Sequence, residues 1–273
     1  MVRTLKRVRG TARKHVGHSA AGRCVSVRRD DTFLVSYPKS GNTWLRFLVG
    51  NLFDPSTPVD FLDIERRAPD IYVNSDRTLR RLPDPRFLKS HEYFDPRYGR
   101  VLYVVRDPRD VVVSYYRYQV KVDDFGETYS GTRYLQAFLD GKLDQFGSWQ
   151  TNVGSWVGAR SCDDSFCLLR YEDMSASPMR IARELCDFLR LLRSDDEIRT
   201  ALARSDRERM QELERRQNTQ SILLRGTRGD LSFIGKGMES EPVDESDQYL
   251  RSSDARQRIE NRFGGTMKTL GYA

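Results

Sequence analysis

Short apolar runs alternate along this chain with stretches whose apolar residues recur at the spacing of a helix. We expect four of these runs to form buried strands, at residues 32–37, 86–91, 100–106 and 166–171. Helical spacing predicts helices at 42–53, from Pro108 onwards, and at 131–140, 146–160, 177–191, 195–216 and 252–270. Because strands and helices alternate, the pattern predicts an α/β fold with a doubly wound, mostly parallel sheet flanked by helices.

The remaining segments have no clear period. Residues 54–86 are rich in Asp, Pro and Arg, and we expect loops with short helical pieces there. Residues 217–250 are polar and bear glycines, which predicts a long mobile loop. At 273 residues, of which 38% are hydrophobic, the chain suits one large domain over residues 31–273.

Positive charge is concentrated near the N-terminus. Residues 1–30 hold nine Lys or Arg and one Asp, whereas the remainder holds 37 basic and 38 acidic residues. The net charge of +7 therefore belongs to a basic arm that we expect to be flexible, and it gives no reason to expect a nucleic-acid partner. No run reaches the roughly 20 apolar residues of a membrane span, so any membrane contact would be a weak one between the arm and anionic lipid.

The cysteines indicate a reducing compartment. They show neither zinc spacing nor a CxxC pair, and they lie at Cys24, Cys162, Cys167 and Cys186. We therefore expect no disulfide framework and a cytoplasmic protein.

A turn that suits a phosphate joins the first predicted strand to the first predicted helix, and we call it the phosphate cradle (residues 37–44, YPKSGNTW). Backbone N–H groups and the positive end of the helix dipole attract anions at such a helix start. Gly41 lets the backbone approach a ligand closely, and Lys39 adds a positive charge. The hydroxyls of Ser40 and Thr43 can donate hydrogen bonds.

The phosphate cradle differs from the nucleotide loop of kinases and GTPases. That loop places Gly-Lys-Ser/Thr after a first glycine, and its chemistry needs protein ligands for magnesium. Here Lys39 precedes Gly41, and nothing in the sequence marks a metal site. A P-loop kinase-like protein and a non-catalytic module that binds a nucleotide stay open as alternatives.

Further polar groups end two other predicted strands. Arg106 ends the third strand and Ser114 lies on the helix after it, so the two can converge on one phosphate at the carboxyl edge of the sheet. Lys89 and His91 end the second strand, and His91 is the one histidine outside the basic arm. Imidazole titrates in the range that suits a general base.

Together these motifs resemble the sulfotransferases that use 3′-phosphoadenylyl sulfate (PAPS). The cradle is similar to the family's 5′-phosphosulfate motif, the segment from Arg106 to Ser114 to its 3′-phosphate motif, and Lys89-Ser90-His91 to its Lys-x-His element. The resemblance covers about residues 30–273 and implies a single P-loop-like domain. It also implies the nucleotide contacts: Lys39, Ser40, Gly41, Asn42 and Thr43 at the 5′-phosphosulfate, Trp44 at the adenine, and Arg106 and Ser114 at the 3′-phosphate.

The same resemblance implies the chemistry, which is in-line transfer of the sulfuryl group to an acceptor hydroxyl without a metal or a covalent enzyme intermediate. His91 would take the proton from the acceptor. Lys39 and Lys89 would neutralise charge on the sulfuryl group and on the departing phosphate of the product, PAP. Glu92 is the reserve candidate for the base.

Two positions near the nucleotide match the family less completely. Tyr171 begins a Tyr-Glu-Asp segment that is expected close to the adenine. Ser205 occupies the place of a family hydroxyl near the nucleotide, but Arg207 replaces the aromatic residue that usually follows it. An adenine contact is therefore expected to differ.

The family's last motif is degraded in this chain. Lys236 and Gly237 match the end of an Arg-Lys-Gly element that holds the nucleotide, but Gly235 stands where the arginine is usual. The loop would therefore close less tightly, unless Arg225 or Arg228 takes the place of that arginine.

The acceptor is not specified by these motifs. The resemblance allows a sugar, a lipid, a phenol or a natural product, bound by loops within 54–86, 119–130 and 217–250. Charged residues in the first two loops favour slightly a sugar or another polar natural product, namely Asp60, Asp63, Glu65, Arg66, Arg67, Lys121, Asp123 and Asp124.

Overall fold

The computed structural model describes residues 20–122, 130–217, 219–221, 224, 234 and 241–272. In that part of the chain the sheet consists of β1 (Thr32–Ser36), β2 (Phe87–Ser90), β3 (Arg100–Val105) and β4 (Phe166–Arg170). The strands lie in the order β2-β1-β3-β4, and each neighbouring pair is parallel. The predicted α/β fold with a parallel sheet is confirmed.

Helices fill most of the remaining described residues. The first six are α1 (Asn42–Phe53), α2 (Ile64–Arg67), α3 (Asp76–Leu79), α4 (Pro108–Lys121), α5 (Gly131–Leu139) and α6 (Trp149–Arg160). The next six are α7 (Tyr171–Ala176), α8 (Pro178–Leu189), α9 (Asp195–Arg204), α10 (Arg207–Gln217), α11 (Glu245–Leu250) and α12 (Ser253–Thr269). None of these helices is long and apolar enough to cross a bilayer.

Most helix starts follow from capping residues in the sequence. Asp107 accepts a hydrogen bond from the backbone of α4, whose first residue is Pro108. Ser194 forms a capping box with Glu197 at the start of α9. Helix α1 differs, because Gly41 precedes it in a left-handed conformation without a side-chain cap. The N-terminus of α1 is thus left available to another hydrogen-bond acceptor.

Helices cover both faces of the sheet. Phe33 and Val35 of β1 pack in one apolar core with α4, α5, α6 and α12, whereas Leu34 packs in a second core with α1, α8 and α9. Successive strand residues point to opposite faces, so a strand buried on both sides needs a continuous apolar run. This explains why β1 and β3 are legible in the sequence.

The carboxyl ends of the strands bring the predicted site residues to one edge of the sheet. Strand β1 leads into the phosphate cradle, and the other three strands lead to His91, Arg106 and Tyr171. Because β1 lies between β2 and β3, the connections on its two sides run in opposite directions. Such a reversal opens the crevice in which α/β sheets bind ligands.

The flexible N-terminal arm was predicted to extend to residue 30, but its last part packs on the domain. Ala21 and Val25 are buried, and the backbone N–H of Ala21 donates to the carbonyl of Asn74 at 2.9 Å. The segment from residue 20 therefore packs on the domain, because its apolar side chains have a place in the core. Residues 1–19 lie outside the described residues.

Most of the predicted mobile loop, 217–250, also lies outside the described residues. The predicted nucleotide contacts Lys236 and Gly237 fall there, as do Gly235, Arg225 and Arg228. The end of the segment corrects the prediction, because Glu245–Leu250 form α11, capped by Asp244. Six residues carry too little periodicity for sequence analysis to detect this helix.

Candidate active site

The backbone of the phosphate cradle is held in an uncommon conformation. Lys39 has a φ of 66° and Gly41 a φ of 98°, both in the left-handed region. A Cβ atom at Gly41 would lie 2.4 Å from the ring of Tyr171, so only glycine fits there. A non-glycine residue with positive φ is uncommon and tends to mark a functional turn.

Two polar side chains of the phosphate cradle are buried. Asn42 donates from Nδ2 to the carbonyl of Leu34 at 2.9 Å and to Ser36 Oγ at 3.2 Å, which fastens the start of α1 to β1. Ser40 Oγ has no hydrogen-bond partner among the described residues. The next residues, Thr43 and Trp44, are half-buried in the first turn of α1.

Arg106 joins β3 to the phosphate cradle. Its Nη1 donates to the carbonyl of Lys39 at 3.3 Å, and its guanidinium lies 4.4 Å from the centre of the Tyr171 ring. The indole of Trp149 fixes the backbone by donating to the Arg106 carbonyl at 3.0 Å. The Nε of Arg106 is buried without a hydrogen-bond partner in the described part of the chain. Ser114 lies half-buried on α4.

The ammonium of Lys39 lies in a crowded, positively charged place. Its Nζ is 4.2 Å from the centre of the Tyr118 ring. Burial lowers the pKa of Lys39 to about 7, and the positive charges of Arg106, Lys121 and Lys89 add to the effect. The cluster therefore favours an anionic ligand, which would restore the charge of Lys39.

His91 is fixed by its Nδ1. This atom lies 2.7 Å from the carbonyl oxygen of Ser36, and a carbonyl can only accept a hydrogen bond. Nδ1 therefore carries the proton, and Nε2 is the basic nitrogen. The carbonyl of His91 accepts a hydrogen bond from Asn152 at 3.0 Å, so the residue is held on both sides.

Rings surround the imidazole of His91. The Tyr72 ring lies parallel to it at a centroid distance of 6.1 Å, and the Phe146 ring lies edge-on at 5.4 Å. Burial, and after it the positive charge of Lys89, lowers the pKa of His91 to about 3. The imidazole is thus neutral near pH 7, as a proton acceptor must be.

Lys89 has a partner that sequence analysis missed. Its Nζ lies 2.5 Å from Oδ2 of Asp70. Asp70 belongs to a loop that forms an isolated parallel bridge to β2. No spacing rule connects residues 70 and 89, because the contact depends on where the loop returns to the sheet.

Glu92, the reserve candidate for the base, is occupied by other contacts. It is buried, its Oε2 pairs with Nε of Arg23 at 2.5 Å, and its Oε1 accepts from the Tyr72 hydroxyl at 3.1 Å. Both oxygens of the Glu92 carboxylate are therefore already engaged by groups of the protein.

Tyr171 contacts two residues that the sequence linked to the adenine, Trp44 and Arg207. Its ring meets the Trp44 ring edge-on at 6.3 Å, and its hydroxyl accepts from Arg207 at 3.4 Å. Ser205 lies elsewhere, because its fully buried hydroxyl donates to the Ala201 carbonyl at 2.8 Å and accepts from Asn51 at 3.0 Å. Its contact with a nucleotide stays a prediction, and this conformation gives the hydroxyl no exposed surface.

The charged loop residues that suggested a polar acceptor mostly form ion pairs within the protein. Glu65 pairs with the buried Arg46 at 2.6 Å, and Arg67 pairs with Asp63 at 2.5 Å. Lys121 pairs with Glu214 at 2.9 Å. These charges stabilise the loops and are therefore poor indicators of the acceptor. Asp123 and Asp124 lie outside the described residues.

A family model described as "Sulfotransferase domain" matches residues 29–267 of the chain. The chain belongs to the sulfotransferase family. This confirms the resemblance drawn from the phosphate cradle, Arg106 and the Lys-x-His element.

Other members of the sulfotransferase family show similar sequences and folds. Sulfotransferase 2B1 of Mus musculus is 32% identical over 182 residues, which are 63% of this chain and 53% of the relative. The 3-beta-hydroxysteroid sulfotransferase of Cavia porcellus is 30% identical, over 78% of this chain and 76% of the relative. The fold matches the crystal structure of mouse sulfotransferase SULT7A1 complexed with PAP, with a TM-score of 0.69, 22% identity, and coverage of 90% of this chain and 87% of that one. The chain spans about half the length of the mouse 2B1 relative.

Proposed function

We propose that the chain transfers a sulfuryl group from PAPS to the hydroxyl of a small-molecule, glycan or lipid acceptor, and releases PAP. Two buried polar atoms carry this proposal, Ser40 Oγ and Arg106 Nε, which lack a hydrogen-bond partner among the described residues. Leaving such a group unsatisfied costs about 1–3 kcal/mol. Ser40 and Arg106 follow β1 and β3, where the family resemblance puts the two phosphates of the nucleotide. Phosphate oxygens would accept hydrogen bonds from both side chains.

The neighbouring groups suit the same donor. The open N-terminus of α1 supplies backbone N–H groups to a 5′-phosphosulfate, and Lys39 regains its charge when an anion binds. Arg106 adds charge-assisted hydrogen bonds to a 3′-phosphate. Ser114, Lys236 and Gly237 remain further predicted contacts. Mouse sulfotransferase SULT7A1, whose fold is similar, was crystallised with PAP, and this supports the choice of PAPS as donor.

His91 and Lys89 supply the proposed chemistry. The hydrogen bond from Nδ1 to Ser36 aims the lone pair of Nε2 at a fixed position, where it takes the acceptor proton as the oxygen attacks. The anionic donor offsets the field of Lys39 and Lys89, so the basicity of His91 rises when the donor binds. The two ammonium groups stabilise the negative charge that develops during transfer.

The rings beside His91 favour an acceptor with a flat apolar part next to its hydroxyl. Tyr72 and Phe146 pack around the imidazole, and their ring faces can hold such a group without polar partners. We therefore favour an acceptor with a ring over a sugar, since the charged loop residues that suggested a sugar form ion pairs within the protein.

The cysteines support a reducing compartment, which we propose is the cytoplasm. None of the four cysteines is in a disulfide: Cys24 and Cys162 are exposed, and Cys167 and Cys186 are buried. Exposed thiols persist where disulfides are not formed.

A screen with PAPS and a panel of phenols, flat polycyclic alcohols, sugars and lipids tests the proposal, with EDTA present throughout. We expect an acceptor with a ring next to its hydroxyl to gain the mass of one SO₃ group, detected by mass spectrometry. A parallel reaction contains ATP and magnesium. Phosphoryl transfer in that reaction, together with no sulfated product from PAPS, would overturn the proposal in favour of a kinase.

A further inference from the structure

The loop before β2 braces the predicted catalytic lysine through its backbone as well as its side chain. The Lys89 N–H donates to the Pro69 carbonyl at 2.8 Å, and the Ile71 N–H donates to the Lys89 carbonyl at 3.3 Å. The Asp70 side chain then meets the Lys89 ammonium at 2.5 Å. Asp70 therefore lies beside Lys89 because the two backbones run alongside each other.

Asp70 is itself held in place from two sides. It is 4% exposed, and its Oδ1 accepts from the backbone N–H of Tyr72 at 2.8 Å. Its own N–H donates to Glu65 at 2.9 Å, and Glu65 pairs with Arg46. With one oxygen bound to the backbone and the other to Lys89, the carboxylate has little freedom to turn.

The charge of Asp70 opposes that of the anion site. Burial works against its ionisation, but the charges of Lys89 and Arg46 and the hydrogen bond from Lys89 hold the pKa of Asp70 below its usual range. Asp70 is thus a carboxylate near pH 7, and Glu65 is the acidic group next to it. The negative charge of Asp70 reduces the positive electrostatic potential that Lys39, Lys89 and Arg106 present to a ligand.

We propose that Asp70 is a positioning residue. It holds the ammonium of Lys89 in place near His91, and its negative charge lowers the affinity of the site for PAP, the anionic nucleotide product. The inference rests on the proposed function. Without Asp70 the ammonium of Lys89 would move to the nearest phosphate of the nucleotide. PAP would then bind more tightly, and the sulfuryl group of PAPS would lose the positive charge that stabilises its transfer. A merely structural role predicts the opposite for binding, namely a loss.

Two measurements on Asp70→Asn separate these roles. We expect calorimetric titration with PAP to show binding about three- to tenfold tighter than in the wild type, since one buried negative charge is removed. Single-turnover hydrolysis of PAPS without acceptor, in which water takes the sulfuryl group and PAP leaves, should slow by about ten- to a hundredfold. The Asp70→Glu variant, which keeps the charge, should restore PAP affinity to the wild-type value.

Asp54→Asn is the matched control. Asp54 follows the far end of α1, pairs with Arg67 and is 38% exposed in its side chain, so both measurements should equal the wild type. Unchanged or weaker PAP binding by a folded Asp70→Asn, or an unchanged rate of sulfate release, would overturn the inference. Failure of the wild-type protein to bind PAP would instead overturn the proposed function, and the inference with it.

A double variant covers the case in which Asp70→Asn does not fold because it leaves Lys89 buried without its partner. Asp70→Asn combined with Lys89→Met removes both charges. Because Asp70 acts through Lys89, the double variant should release sulfate at the rate of Lys89→Met alone. A further loss of about tenfold beyond that rate would show that Asp70 acts independently of Lys89 and would overturn the inference.

Discussion

His91 Nδ1 lies 2.7 Å from the carbonyl oxygen of Ser36, the last residue of β1. Ser36 also accepts a hydrogen bond from Asn42 of the phosphate cradle through its side chain, at 3.2 Å. The proposed base and the proposed donor site are therefore tied to the same residue. Their relative position is fixed by the sheet rather than by a mobile loop.

His91→Ala should remove general-base catalysis and leave donor binding intact. We expect kcat to fall by about 10²–10⁴-fold. The Kd of PAP, measured by calorimetry, should change little because the groups of the phosphate cradle are untouched.

Glu92→Gln is the comparison for that variant. Its carboxylate already binds Arg23 and Tyr72, so we expect a loss in kcat of less than about tenfold. Near-normal turnover in His91→Ala with a collapse in Glu92→Gln would move the role of base to Glu92.

PAP affinity should fall as the pH rises above neutrality. The pKa of Lys39 is lowered to about 7 in the free protein, and a bound phosphate raises it, so binding takes up a proton between these two pKa values. Affinity is then full below about pH 6 and decreases by up to about tenfold per pH unit above about pH 7. Titrations near pH 8 in Tris and in HEPES, whose ionisation enthalpies differ, would reveal the proton.

Lys39→Met provides the control, since it should abolish the proton uptake. Equal heats in the two buffers for the wild-type protein would contradict this account of the lysine.

Arg106→Ala should remove recognition of the 3′-phosphate. We expect the Kd of PAP to rise by about ten- to a hundredfold, the loss for a charge-assisted hydrogen bond to a phosphate. The Kd of AMP, which lacks that phosphate, should change less. Arg180→Ala, at an arginine that is 57% exposed in its side chain, should leave both constants unaltered. An equal loss for PAP and AMP would place Arg106 at another part of the nucleotide.

Gly41→Ala should disrupt the phosphate cradle. Its φ of 98° strains any other residue, and the new Cβ would collide with Tyr171. We expect a loss of about 1–3 kcal/mol in the free energy of unfolding, measured by denaturant titration, together with loss of PAP binding.

Gly158→Ala is the matched substitution. Gly158 lies inside α6 with open space around its Cβ position, so alanine should be neutral or stabilise by up to about 1 kcal/mol. Equal stability of the two alanine variants would contradict the collision at Tyr171.

The sequence was most informative where local rules decide the structure. The bounds of α1 agree with those predicted, because a helix at 42–53 follows from the periodicity of its apolar residues. Strands β1 and β3 were legible because their residues are buried on both faces. The short helix α7 was missed, since it follows β4 without an intervening residue.

Contacts between distant parts of the chain could not be predicted. Asp70 reaches Lys89 through a loop that returns beside β2, and Arg23 reaches Glu92 across 69 positions. Neither contact leaves a periodic or motif signal. The motifs therefore predicted several residues that meet at the carboxyl edge of the sheet, but not the partners that set their charge.

Sulfuryl transfer from PAPS is tested most directly by following both products of one reaction. The protein is mixed with PAPS, EDTA and the acceptor found in the screen, and PAP and sulfated acceptor are quantified together by chromatography. We predict equal amounts of the two products, with both formed much more slowly by His91→Ala, and by Arg106→Ala when PAPS is below saturation. PAP released without sulfated acceptor, or product formed at the wild-type rate by both variants, would contradict this prediction.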